Sequence, residues 1–169
     1  MAARPAVFST GVETVDHISH LIPRLRRYAR ALASARMPAD DLVRSTLERA
    51  AHEVSLANAA GDLRVWLFGL MHEIYVRAAA PEQASALAEA LAPRAEGEGL
   101  PQRAFEQAMA TLPPQQREIF LLVTLEDMSY EQVAKTLNIP VGTVMSRLSR
   151  AREKLRLQLT SQARLRKVK

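Results

Sequence analysis

Met128-Ser129-Tyr130-Glu131-Gln132-Val133-Ala134-Lys135-Thr136-Leu137-Asn138-Ile139-Pro140-Val141-Gly142-Thr143-Val144-Met145-Ser146-Arg147-Leu148-Ser149-Arg150-Ala151-Arg152 is the stretch whose reading decides the fold of this 169-residue chain. Ser129 followed three residues later by Gln132 predicts a capping box, so a helix starts at Ser129. That helix is short: Val133, Ala134 and Leu137 share its inner face, and Asn138, which tolerates the left-handed conformation, closes it. Ile139-Pro140 makes the turn. A second helix from Val141 carries Val144, Leu148, Ala151 and Leu155 on one stripe, with Thr143, Ser146, Arg147, Arg150 and Lys154 opposite. A short helix, a tight turn and a longer basic helix is the layout of a helix-turn-helix, whose second helix enters the major groove.

In that groove an arginine can pair with both acceptors on a guanine edge, which makes Arg147 and Arg150 the expected base readers. The hydroxyls of Thr143, Ser146 and Ser149 suit phosphate or base, and Lys154 completes the expected set. Charge supports a polyanion partner. Val141 to Lys169 holds nine Lys/Arg and one acid, a net of +8, while the preceding residues hold 14 against 17, a net of −3. Arg152, Arg156, Arg164, Arg166, Lys167 and Lys169 are therefore expected to attract phosphates without choosing a sequence.

Working outward, the upstream residues read as all-α. Alanine, leucine, arginine and glutamate dominate and only 5% of residues are aromatic, which favours aliphatic helix packing over sheets. Ile18, Leu21, Ile22, Leu25, Tyr28, Ala29 and Leu32 recur at helical steps, with Pro23 expected to kink the helix or open a second segment. Pro38, Asp40 and Asp41 open a second helix with Leu42, Val43, Leu47 and Ala50 on its stripe. After a break at Asn58 to Gly61, a third helix carries Leu63, Trp66, Leu67, Leu70, Met71 and Ile74. Phe68 and Tyr75 fall off its main stripe and so are candidates to stack on unpaired bases, whereas Trp66 reads as core. Pro81 to Pro101 reads as a linker, with a short helix over Glu82 to Ala92 possible within it. Beyond it, Phe105, Met109 and Leu112 fall on one face, and Pro113-Pro114 opens a helix holding Ile119, Phe120, Leu122 and Val123. The expected units are two small helical domains at 12–80 and 101–160, a flexible linker at 81–100 and a basic tail at 161–169.

Several function classes lack their residues. With no cysteine, thiolate-held zinc and disulfides are excluded. His72-Glu73 and His52-Glu53 fail as metalloprotease motifs because Val76 and Leu56 stand where a second histidine is needed. No phosphate-cradling glycine loop and no catalytic constellation is visible, so neither an enzyme nor a metal, cofactor or small-molecule substrate is expected. No apolar run is long enough to span a membrane, which makes the cytoplasm the expected compartment.

The runs Leu112-Pro113-Pro114-Gln115-Gln116-Arg117-Glu118, Met128 to Ala134 and Ile139 to Arg152 resemble, nearly residue for residue, the −35-reading domain of bacterial sigma factors of the extracytoplasmic-function (ECF) class, in the sigma-70 family. Leu25-Arg26-Arg27-Tyr28-Ala29, Ala39 to Ala50 and Trp66-Leu67-Phe68 resemble the same class more loosely. The resemblance implies a region 2-like bundle that docks on core RNA polymerase through Asp40, Asp41, Arg44 and Glu48, and a −10 segment using Phe68, His72, Tyr75 and Arg77. It also implies promoter DNA and an anti-sigma protein as partners, and a role in a stress or environmental response. Met71 and Met128 are expected among the exposed apolar side chains such a regulator would cover. The cluster Arg24, Arg26, Arg27 and Arg30 reads as a solvated or partner-binding face.

One segment departs from the class. After Trp66-Leu67-Phe68 a run of arginines is usual, but Val65 to Leu100 here holds two basic and five acidic residues. A sigma factor with an unusual −10 element fits this, as does a sigma-like decoy that sequesters an anti-sigma protein. A dimeric helix-turn-helix regulator is the rival outside the class.

Overall fold

The computed structural model describes residues 11–32, 38–53, 61–79 and 100–167. The linker and its possible short helix lie outside them. Among the described residues there are seven helices and no strand: α1 (Gly11–Leu32), α2 (Ala39–His52), α3 (Leu63–Ala79), α4 (Leu100–Ala110), α5 (Pro114–Thr124), α6 (Tyr130–Leu137) and α7 (Val141–Lys167).

Helix α1 runs through Pro23 as one element rather than two segments. Pro23 is exposed, so its ring points to solvent, while Leu25, Tyr28, Ala29 and Leu32 are buried on the other side. Pro38 stands just before α2, and Asp40 and Asp41 sit in its first turn, where negative charge meets the positive end of the helix dipole. Gly61 at φ +73 supplies the left-handed bend that ends the preceding break. Asp62 then accepts from the backbone N–H groups of Arg64 (3.0 Å) and Val65 (3.1 Å), capping α3.

Helix α3 is covered on two sides and leaves only a narrow strip with Glu73, Val76 and Arg77 exposed. Leu63, Leu67, Phe68, Leu70, Met71 and Tyr75 are all buried, because one side packs on α2 and α1 and the other on α6. The expectation that Phe68 and Tyr75 lie off the buried stripe is therefore corrected. Phe68 is 1% exposed and meets Tyr28 edge to face with ring centroids 5.2 Å apart. Met71 and Met128 are likewise interior, and among the described residues the exposed large apolar side chains are Val76, Phe105, Met145 and Leu157. Phe105 thus leaves the face it was expected to share with Met109 and Leu112.

In the C-terminal helices, Arg117 closes the end of α4. Its guanidinium donates to the carbonyls of Met109 (3.1 Å) and Ala110 (2.9 Å) in the last turn of the helix and of Leu112 (3.3 Å) just beyond it, where carbonyls lack the full set of helical donors. Val144, Leu148, Ala151 and Leu155 form the buried stripe of α7, as their spacing predicts. That helix continues to Lys167, so most of the segment read as a basic tail is helical. One apolar cluster runs from Leu25 of α1 to Leu155 of α7, and the two sets of helices share it.

Candidate nucleic-acid interface

The α6–turn–α7 unit is built by three local devices. Ser129 Oγ accepts from the Gln132 N–H (3.2 Å), and Gln132 Oε1 accepts from the Ser129 N–H (3.0 Å), completing the capping box. Asn138 takes φ 51 and ψ 50, the left-handed stop. The Ile139 N–H then returns to the Ala134 carbonyl (3.0 Å), and Pro140 receives the N–H groups of Thr143 (2.9 Å) and Val144 (3.2 Å), which starts α7. Val133, Leu137, Val144 and Leu148 lock the two helices together.

With that stripe inward, Ser146, Ser149 and Arg150 are exposed, and Thr143 and Arg147 are half-buried beside them. Ser146 Oγ donates to the Thr143 carbonyl (3.1 Å). Arg147 and Arg150 make no ion pair with any described residue, so their guanidinium donors are left unpaired there. Arg156 instead forms a bidentate pair with Glu153 (2.8 and 3.0 Å). Lys154 departs from the expected face. It is half-buried, and its Nζ donates to the Thr111 carbonyl (2.6 Å), tying α7 to the end of α4.

The expected polymerase-docking residues share an outer face of α2. Asp40, Arg44 and Glu48 are exposed, and Arg44 pairs with Asp41 at 2.7 Å. The expected −10 residues are scattered. Phe68 and Tyr75 are core, Arg77 is exposed, and His72 Nδ1 lies 2.9 Å from Glu118 Oε1 on α5. Burial works against the His72 imidazolium, but the hydrogen bond and charge of Glu118, with Glu73 nearby, outweigh it and lift its pKa above the ordinary value.

Sequence reasoning missed Glu126. Its carboxylate, fully buried in the turn between α5 and α6, accepts from Arg24 Nε (2.8 Å) and Arg27 Nη2 (3.0 Å) of α1. Its carbonyl also accepts from Arg24 (2.9 Å) and from Arg64 of α3 (3.1 Å). Gln132 Nε2 donates to Asp62 Oδ2 (2.9 Å) beside it. Half of the cluster Arg24, Arg26, Arg27 and Arg30 is thus turned inward on the chain's own turn. Nothing in the local run Leu125-Glu126-Asp127 signals a contact about a hundred residues away. Among the described residues no cluster of His, Asp and Glu is placed to hold a metal.

Residues 102–155 match the family description "Sigma-70, region 4", and residues 18–72 match "Sigma2 domain of PhyR". Over 147 residues the chain is 32% identical to the ECF RNA polymerase sigma factor EcfG of Rhodopseudomonas palustris, covering 83% of this chain and 81% of that one. This chain belongs to the ECF sigma factors. A stretch of 54 residues is also 41% identical to the ECF sigma factor SigW of Bacillus subtilis, covering 32% of this chain and 29% of that one. The sigma factor RpoE of Bartonella quintana, solved in complex with the anti-sigma factor NepR, superposes with a TM-score of 0.71 at 28% identity, over 86% of this chain and 97% of that one. CnrH, solved with the cytosolic domain of CnrY, shares the fold at 22% identity, with a TM-score of 0.68 over 92% of this chain and 93% of that one. As an ECF sigma factor, the chain carries its region 4 match from α4 into α7, and the α6–α7 unit just described lies within it. Its region 2-type match ends at His72, where the following residues become acidic.

Proposed function

We propose that this protein is an alternative sigma factor that joins core RNA polymerase and directs it to a set of promoters, in a stress or environmental response. The observation that carries this reading is the outward, unpaired row of Arg147 and Arg150 with Ser146 and Ser149, on a helix held rigidly by a complete capping box and a left-handed Asn138 stop. That row lies inside the region 4 match, and it has the donors that base edges and phosphates accept.

In this reading residues 101–160 read the −35 element, with Thr143 supporting the row. Residues 12–80 dock on the polymerase through Asp40, Asp41, Arg44 and Glu48, and contact the −10 element through Arg77 and the residues near His72. The chain acts in the cytoplasm as a binding protein rather than an enzyme, without a cofactor. An anti-sigma protein restrains it, by analogy with the Bartonella relative solved with one.

Promoter-directed transcription with purified core polymerase, with and without the protein, tests this. New start sites sharing an upstream −35 element are expected. Silence beside tight capture of an anti-sigma protein would instead make the chain a decoy.

A further inference from the structure

Gly142 is the second residue of α7, and nothing among the described residues accounts for a glycine there. It is helical rather than left-handed, so its backbone does not require one. A Cβ built on it would meet no heavy atom within 4 Å, so packing does not require one either. The protein does account for Gly61, through its φ of +73, and for Gly69, where the Thr136 carbonyl of α6 would stand 3.4 Å from a Cβ. A helical glycine loses more backbone entropy on folding than alanine, and at Gly142 no contact within the protein offsets that loss. The space it leaves is exposed to solvent at the start of the helix that carries Ser146, Ser149 and Arg150.

That space has two walls. In a helix the residues three and four places on border the same spot, and their side chains lean toward the N-terminus. Here they are Met145 and Ser146. Met145 is 53% exposed, the apolar member of an outer row that otherwise carries hydroxyls and a guanidinium. A lone exposed methionine calls for no explanation, but one that borders an unexplained glycine does. Ser146 Oγ donates to the Thr143 carbonyl at 3.1 Å, so its proton is engaged on the helix itself. The result is a methyl-sized notch with the Gly142 backbone as its floor, a thioether on one side and a hydroxyl on the other. Neither wall carries a charge, which suits an apolar guest better than a phosphate.

We infer that Gly142 and Met145 form a seat for the C5-methyl group of one thymine in the −35 element, so that this pair, rather than an arginine, selects the base at that position. The inference rests on the proposed sigma function and adds a base to those assigned to Arg147 and Arg150. In the major groove the thymine methyl is the apolar group that a base edge presents, and apolar side chains are what complement it. Any side chain at position 142 would fill the seat. Met145, unbranched and polarizable, can settle against the methyl group in an ordinary rotamer. Arg150 stands two helical turns further along α7, so it addresses a different base pair.

Duplexes enriched from a random pool by the full chain, alone and on core polymerase, give the −35 site. Each thymine in it is then replaced singly by deoxyuridine, which removes the methyl group and keeps every hydrogen-bonding atom. Binding is measured for the parent, for Met145→Ala and for Gly142→Ala, beside the thermal unfolding of each. The parent is expected to lose about three- to fivefold at one thymine, the ratio that goes with one methyl-sized group leaving an apolar contact. Met145→Ala should bind the thymine and uracil duplexes equally there and keep its guanine preference. Gly142→Ala should reverse the preference in favour of uracil, because the alanine methyl takes the place of the thymine methyl, and it should unfold at an unchanged or higher temperature. If no thymine responds in the parent, or if all three proteins respond alike, the seat is overturned and the sigma reading stands. A lower unfolding temperature for Gly142→Ala would return the glycine to the fold and overturn its part in the seat. No enriched site, with or without core polymerase, would overturn the sigma reading and the seat with it.

Discussion

His72 of α3 and Glu118 of α5 face each other at 2.9 Å across the two domains, with Glu118 2% exposed. The pair holds the His72 pKa above its ordinary value of 6.5. A raised folded-state pKa stabilises the fold fully below the unfolded value, and that contribution is lost as pH rises through the folded one. Stability is therefore expected to decline as pH rises from the unfolded value of 6.5 through the raised folded one. Denaturant midpoints across that range check this, and His72→Gln should flatten the slope.

Arg147 and Arg150 are expected to read bases. Replacing either with alanine should cost roughly 1–3 kcal/mol at one promoter position and relax choice there. Lys167→Ala, in the last turn of α7, should weaken all sequences slightly and flatten the salt dependence. Binding titrations on single-position promoter variants separate the two patterns. An equal loss on every sequence from Arg150→Ala would remove it from base reading.

Lys154 is expected to behave differently from its neighbours. Its ammonium satisfies the Thr111 carbonyl at 2.6 Å, so Lys154→Met should lower stability by about 1–2 kcal/mol and leave promoter choice unchanged. Denaturation and the same binding titrations decide between a tie and a DNA contact.

Local devices in the helix-turn-helix should show as stability. Ser129→Ala removes the acceptor of the capping box and should cost about 1 kcal/mol. Asn138→Gly should be tolerated, while Asn138→Val forces a β-branched residue to φ 51 and should cost more than the cap. Thermal unfolding of the three variants ranks them.

Phe68 tests core against stacking. At 1% exposure and against Tyr28, Phe68→Ala should destabilise by about 3–5 kcal/mol, through the lost burial and the cavity left behind. A stable variant defective only in promoter melting would return Phe68 to the DNA.

The helix-turn-helix was legible in the sequence because its determinants are local. A serine three residues before a glutamine, an asparagine after Leu137 and a four-residue apolar rhythm each act within one or two turns of backbone. The same held for the stripes of α1 and α2, and for the outward row of Arg147 and Arg150. What the sequence by itself could not determine was the surroundings of side chains whose neighbours come from far along the chain. Periodicity shows which side of a helix is apolar, but α3 is covered on two sides, so Phe68 and Tyr75 left their expected role and Met71 went inside. Only tertiary structure decided that Arg24, Arg27 and Arg64 would meet Glu126, 62 to 102 residues away. Such a meeting is set by how the domains pack, and a charge on a helix reads the same in sequence whether it ends in water or in a partner's carboxylate.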